Sequence, residues 1–180
     1  MKKRFTLRCA VFLILTKTES NQEYVLLQKR YHTEILSGQY DVAASGHLEK
    51  NESVKDAMIR EAKEEIRITL LKENLHFSST IHAKFEDADY ILITFWADQY
   101  QETPKIMEPD KCNELKWFDI NELPENLADT RKIMIENYKN HIPYKDMAFK
   151  TNKHLIRFLI VYCMFNSRTI HFQSLKSIPM

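Results

Sequence analysis

Glycine is almost absent from this chain: among 180 residues only Gly38 and Gly46 occur. Gly46 is therefore expected to supply a backbone conformation or a close approach that a side chain would block. Cysteine is nearly as scarce. Cys9, Cys112 and Cys163 are odd in number and lack metal-ligand spacing, which reads as reduced thiols in a cytosolic protein. No run of about 18 apolar residues exists, so no membrane span is expected. The basic start Met1-Lys2-Lys3-Arg4 before the apolar Cys9 to Leu15 imitates a secretion signal only superficially. Arg8 interrupts the run, no small-residue cleavage site follows, and Glu23 to Tyr31 resumes as a strand. A net charge of +1 makes no case for a polyanion, so no stable nucleic-acid partner is expected. No internal repeat or low-complexity tract is present. With 44% hydrophobic and 28% charged residues, what remains is an ordinary globular composition with enough apolar mass for a sizeable core.

The informative stretch runs from Gly46 to Ile68. Val54, Met58, Ala62 and Ile66 recur every four residues and form an apolar stripe, which predicts an amphipathic helix. Ser53 is the expected cap, and Asp56 suits the positive end of the helix dipole. At about 100° per residue, Glu61, Glu64 and Glu65 share one helix face, expected to look away from the apolar stripe. Three like charges in one turn repel one another, and Arg60 can offset only part of this by reaching Glu64 or the upstream Glu52. The remaining negative charge suits a hard divalent cation such as Mg²⁺. A bare Glu-x-x-Glu-Glu is commonly a solvated face, so the upstream spacing decides.

Gly46, five residues, Glu52, seven residues and then Arg60-Glu61-Ala62-Lys63-Glu64-Glu65 resembles the signature of the Nudix hydrolases, Gly-x5-Glu-x7-Arg-Glu-U-x-Glu-Glu-x-Gly-U, where U is bulky and apolar. Arg67 stands where that pattern has its second glycine, and Ala62 is a small version of the first U. A non-glycine residue in a left-handed turn at a helix end costs about 1 kcal/mol, so this departure bears on local geometry more than on chemistry.

The resemblance implies an α+β fold, a mixed β-sheet packed between helices in an α/β/α sandwich. It also implies Mg²⁺, with Mn²⁺ as an alternative, held chiefly by Glu61 and Glu65. Glu64 is then a third ligand or the general base, and the backbone of Gly46 a further ligand. Glu52 is implied to position Arg60 or a second metal ion. Arg30, at the end of a strand over Tyr24 to Arg30, is implied to point at substrate phosphates. Tyr40-Asp41-Val42-Ala43-Ala44-Ser45 resembles the segment before the signature, with Tyr40 in place of the usual tryptophan. Glu114-Leu115-Lys116-Trp117-Phe118 through Leu123-Pro124 resembles a late Glu-x-x-Trp-Phe element, which makes Glu114 a candidate carboxylate facing the site. Trp117 fits either the substrate or the core.

Elsewhere, Phe5 to Thr16 predicts a buried strand joined to Tyr24–Arg30 across a Lys17–Glu23 turn, and Tyr31 to Gln39 a loop. Arg67 to Leu71 is expected as a short strand, Leu75–Phe85 and Asp89–Gln99 as an antiparallel pair, and Tyr100 to Asp110 as loop. The continuously apolar Tyr90 to Trp96 suits a central strand covered on both faces. Asp129 to Lys139 predicts an amphipathic helix. Residues 1–145 form the expected domain and 146–180 a C-terminal extension, whose apolar Leu155 to Phe165 is open to serving as a strand, a buried helix or a homodimer contact.

The implied activity is hydrolysis of a nucleoside diphosphate-linked substrate, foremost a nucleoside triphosphate, intact or modified, cleaved to monophosphate and pyrophosphate. The alternatives are an isoprenyl diphosphate isomerase and a non-catalytic module that binds a nucleotide or a protein partner.

Overall fold

The computed structural model describes residues 5–85 and 88–148. From residue 149 on, the expected extension, including Leu155 to Phe165, lies outside the described residues. Among the described residues, eight strands and two α-helices follow in the order β1 (Arg8–Glu19), β2 (Gln22–Arg30), β3 (Tyr40–Val42), β4 (Ala44–His47), α1 (Val54–Ile66), β5 (His76–Lys84), β6 (Asp89–Ala97), β7 (Cys112–Asp119), α2 (Asp129–Lys139) and β8 (Tyr144–Ala148), with one 3₁₀ turn at Lys72–Asn74. The expected boundary at residue 145 falls inside β8, which pairs with β5 through Ala148, so the sheet claims the chain to that point.

The strands run β3-β2-β1-β6-β5-β8, with β4 joined to β1 and β7 to β2. β1–β6 and β5–β8 are parallel and the remaining pairs antiparallel, the mixed sheet expected. β1 is the spine. Its first half pairs with β4 and its last residues with β2, while β6 lies along most of its length. Because successive strand side chains point to opposite faces, Val11, Leu13 and Leu15 enter one apolar cluster and Ala10, Phe12 and Ile14 the other. The first cluster contains Met58, Ala62 and Ile66 of α1; the second contains Met134 and Ile135 of α2. A helix on each face gives the α/β/α arrangement. β6, between β1 and β5, is the two-sided central strand the sequence suggested.

Two expected elements differ. The strands on either side of the first turn extend further than propensity indicated, leaving only Ser20 and Asn21 between them, at φ 52° and 62°. A two-residue hairpin with both φ positive matches the strand twist, and asparagine tolerates that conformation. Arg67 to Leu71 forms no strand but a single bridge, Thr69 with Gln101, at 3.0 and 3.3 Å.

α1 forms where predicted. The Ser53 hydroxyl accepts from the Asp56 amide at 3.2 Å, satisfying one orphan donor of the first turn. Ala57, Met58, Ala62 and Ile66 are buried, and full burial of Met58 and Ile66 contributes about 1.5–3 kcal/mol each. The helix stops at Arg67, which takes the left-handed conformation (φ 64°, ψ 16°) that glycine would adopt freely, with its amide on the Lys63 carbonyl and the next amide, of Ile68, on the Ala62 carbonyl. The helix thus ends as the family pattern requires, at the expense of local strain. Arg67→Gly is expected to raise stability by up to about 1 kcal/mol in chemical denaturation. A loss of stability would mean that the cationic side chain at the helix's negative end outweighs the strain.

Candidate active site

Gly46 is the third residue of β4, paired with Val11 of β1, and α1 lies across it. A Cβ on Gly46 would collide with the Glu61 carboxylate, so the missing side chain is what lets the helix bring Glu61 onto the strand. One turn on, the Glu65 carboxylate accepts from the Ser45 amide and from Gln28 Nε2, each at 3.0 Å. Both donors are neutral. This corrects the expectation that the three carboxylates turn away from the apolar stripe. Glu65 follows Met58 by seven residues and projects about 20° from it, so docking the stripe carries Glu65 inward. Only Glu64, with 57% of its side chain exposed, faces solvent.

Arg60 ties the acidic groups together. Its Nε and Nη2 grip both oxygens of Glu52 at 3.2 and 2.9 Å, and Nη1 donates to Glu61 at 2.8 Å and to Glu64 at 3.1 Å. Nη2 also donates to the His47 carbonyl at 3.1 Å, anchoring the guanidinium to the end of β4. Such forked, charge-assisted bonds fix a carboxylate's position as well as its charge. Glu52, which also accepts from the Glu49 amide, is held below the usual carboxylate range, first by Arg60 and then by that amide.

The two inward carboxylates shift the other way from Glu52. Removal from water pushes Glu65 up to about 7, against the opposing pull of Ser45 and Gln28 and helped by the negative charge of Glu61 and Asp41. Burial also raises Glu61, though Arg60 works against it. One guanidinium therefore holds three carboxylates, and the fourth and deepest receives only neutral hydrogen bonds. That surplus fits a divalent cation. Among the described residues no three metal-ligating side chains converge into a ready-made metal cluster.

The other candidates separate. Arg30, at the end of β2, is held by a 3.6 Å ion pair with buried Asp41 and by donation to the Ile35 carbonyl at 3.3 Å. Tyr40 and Glu114 bond to each other, the hydroxyl donating at 2.7 Å, and burial together with Glu114 pushes the phenol up to about 12. Glu114 does not face the carboxylate cluster as expected. It pairs with Lys29, whereas Gln28, the Glu65 partner, is one residue over, and alternate residues lie on opposite faces. Tyr40, 7% exposed, belongs to the apolar cluster on the α2 side. Trp117 packs against the α1-side core under the Lys17 ammonium, 4.8 Å from its ring.

Several residues escaped sequence reasoning. Gln28 is polar yet buried in an apolar strand, a signal in retrospect. Asp41, fully buried, accepts from Arg131 at 2.6 and 3.0 Å, a pairing 90 residues apart that no local pattern marks. Met107 and Lys105 donate backbone bonds to the Glu65 and Ile66 carbonyls, both at 3.0 Å, fastening the loop before β7 to the end of α1.

A model of the NUDIX domain matches residues 6–138. The chain belongs to the Nudix family. Among curated Nudix relatives, an uncharacterised Nudix hydrolase, YvcI of Bacillus subtilis, is 33% identical over 85 residues, 46% of this chain and 52% of that protein. The NAD-capped RNA hydrolase NudC of Pseudomonas putida is 28% identical over 89 residues, 49% of this chain and 30% of that protein. The chain thus spans about half or less of the curated relatives it matches. The Nudix fold is also seen in the crystal structure of a MutT NUDIX hydrolase from Burkholderia pseudomallei, which superposes with a TM-score of 0.64 at 22% identity, covering 73% of this chain and 98% of that one. No helix among the described residues is long and apolar enough to cross a membrane.

The raised Glu65 carboxyl has a measurable consequence in metal-free protein. Its folded-state pKa of about 7 lies above the ordinary 4.5, so the stability it contributes is present below about pH 4.5 and is lost as pH rises through about 7. With chelator present, thermal stability referred to this group should fall between pH 5 and 8 by an amount of order 3 kcal/mol at most, and Glu65→Gln should flatten that slope. An unchanged slope in the variant would contradict the assignment.

Proposed function

We propose that this chain is a Mg²⁺-dependent hydrolase of nucleoside diphosphate-linked substrates, foremost nucleoside triphosphates cleaved to monophosphate and pyrophosphate. The observation that carries the reading is the seating of Glu61 against Gly46 beside Glu65, a desolvated pair that one arginine does not neutralise. Glu61 and Glu65 hold the cation, with the Gly46 backbone alongside. Mg²⁺ bound there supplies Lewis acidity and neutralises the diphosphate oxygens, with Mn²⁺ able to take the same place. Arg60 orients Glu61, and Glu52 fixes Arg60. Glu64, exposed and bonded to Arg60, serves as a third ligand or accepts the proton of the attacking water. Arg30 contacts substrate phosphates from the end of β2.

Support for the substrate class comes from the family and from the Glu114 to Pro124 segment, which resembles that of small nucleoside triphosphate hydrolases. NudC is named for capped RNA, so dinucleotide-type substrates belong in the same screen. Incubation with Mg²⁺ and ordinary or oxidised nucleoside triphosphates, NAD, ADP-ribose and isoprenyl diphosphates, followed by product separation, tests the reading. Pyrophosphate plus monophosphate supports it. Tight nucleotide binding without product would favour a binding module, and an isomerised diphosphate with no phosphate release an isomerase.

Glu61→Gln and Glu65→Gln should each lower Mg²⁺-dependent kcat/KM by at least on the order of a hundredfold with the fold intact by circular dichroism, since even supporting residues at metal sites cost 10–100-fold. Arg60→Ala should lose less, and wild-type rates in either glutamate variant would refute the ligand assignment.

A further inference from the structure

The carboxylate of Asp41, on β3, has no exposed surface, and two arginines distant in sequence converge on it. Arg131 grips both its oxygens, Nε to Oδ1 at 2.6 Å and Nη2 to Oδ2 at 3.0 Å, while Arg30 Nη1 lies 3.6 Å from Oδ2. The Val42 amide donates to Oδ1 at 2.8 Å. Arg131 belongs to the first turn of α2, and the chain entering that helix is fastened to β3. The Tyr40 amide donates to the Asn126 carbonyl and the Ala128 amide to the Tyr40 carbonyl, both at 3.0 Å.

Stability alone gives little reason to bury these charges. Taking a carboxylate and a guanidinium out of water costs about as much as their attraction returns, and apolar side chains of similar size often fill such a place equally well. What the pair does provide is a fixed point, because a forked arginine sets the direction of a carboxylate as well as its charge.

That fixed point lies on the side of the sheet that carries the acidic centre. Asp41 is the cross-strand partner of Gln28, whose Nε2 donates to Glu65, and cross-strand partners share a face. Arg30 follows Gln28 by two residues on β2, so its side chain leaves the strand on that same face. Arg30 is held at two corners, Nη1 by Asp41 and Nε by the Ile35 carbonyl at 3.3 Å. Its backbone closes the 31–39 connection, accepting from Gly38 at 2.8 Å and donating to Gln39 at 2.9 Å. Among the described residues Nη2 meets no partner. Ordering a loose arginine on a ligand costs rotamer entropy, and a guanidinium already held is spared most of that cost.

On the reading that Arg30 contacts substrate phosphates, we propose that Asp41 is the positioning residue for that contact: gripped by Arg131, it holds the Arg30 guanidinium in place at the end of β2 with Nη2 free for a phosphate oxygen. α2, whose Met134 and Ile135 serve the core on the other face, thereby takes part in binding at the acidic centre.

Calorimetric titration of the full chain with inorganic pyrophosphate in Mg²⁺ tests this without depending on turnover. Arg30→Ala should weaken binding about tenfold, the loss of one charge-assisted contact, and Asp41→Asn should weaken it by nearly the same factor. In the Arg30→Ala protein, Asp41→Asn should add less than about twofold, since the two act through one contact. Asp41→Leu combined with Arg131→Met replaces the buried ion pair with apolar side chains and should match Asp41→Asn, which guards against a folding defect in the single variant. A purely structural Asp41 gives a different pattern: a lowered melting temperature with binding unchanged, or a loss of binding as large without Arg30 as with it. Either result would overturn the proposal, as would normal binding in Arg30→Ala or no binding by the unaltered protein. Hydrolysis is scored separately by product separation. Products formed while pyrophosphate binding ignores Asp41 would sink the positioning role alone, whereas binding that follows Arg30 and Asp41 with no product from any substrate would sink the hydrolase and leave the positioning role standing.

Discussion

The contact on which the site depends is a side chain resting on a place where another side chain is missing. Glu61 lies where a Cβ of residue 46 would be, and every other feature of the acidic centre is arranged around that approach. The Glu61 carboxylate can lie this close to β4, where α1 docks, only because residue 46 is glycine. That docking buries Met58 and Ile66 and in the same movement withdraws Glu65 from water. Hydrophobic burial thereby holds like charges together: the apolar stripe contributes several kcal/mol, against which the electrostatic discomfort of the carboxylates is tolerable.

Arg60 keeps this arrangement from flying apart without silencing it. By giving its Nε–Nη2 edge to Glu52 and reaching Glu61 and Glu64 through Nη1, it fixes geometry while leaving the deepest carboxylate to neutral partners. A lysine could offer neither the fork nor the planar reach. The imbalance is local and does not show in a chain whose net charge is +1.

Much of this was legible in the sequence because it is written in local spacing. The cap at Ser53, the four-residue apolar stripe and the signature spacing gave α1 and its acidic set, and α2 has the bounds Asp129–Lys139 that its periodicity suggested. What was not legible depends on partners distant in sequence. The direction of Glu65 requires knowing which stripe docks where. The face on which Glu114 lies turns on a single step of strand register, and one residue decides between the two sides. Gln28, Ser45 and the Asp41–Arg131 pair are cross-strand or cross-chain relations that no window reveals. Arg67 shows the converse: a mismatch with the family pattern, expected to bear on local geometry, is absorbed by one strained backbone position.

β1 supplies side chains to both cores in strict alternation, so a deletion or insertion of one residue between Ala10 and Leu15 would exchange the contents of the two layers wholesale. Length variation is shut out there. The segments at 31–39 and 98–111 carry no such two-sided obligation, and both end at strands that pair with β2, the strand that carries Gln28. Descendants of this chain could therefore change what they recognise by lengthening those two connections while the spine stays frozen, separating the evolution of selectivity from that of architecture.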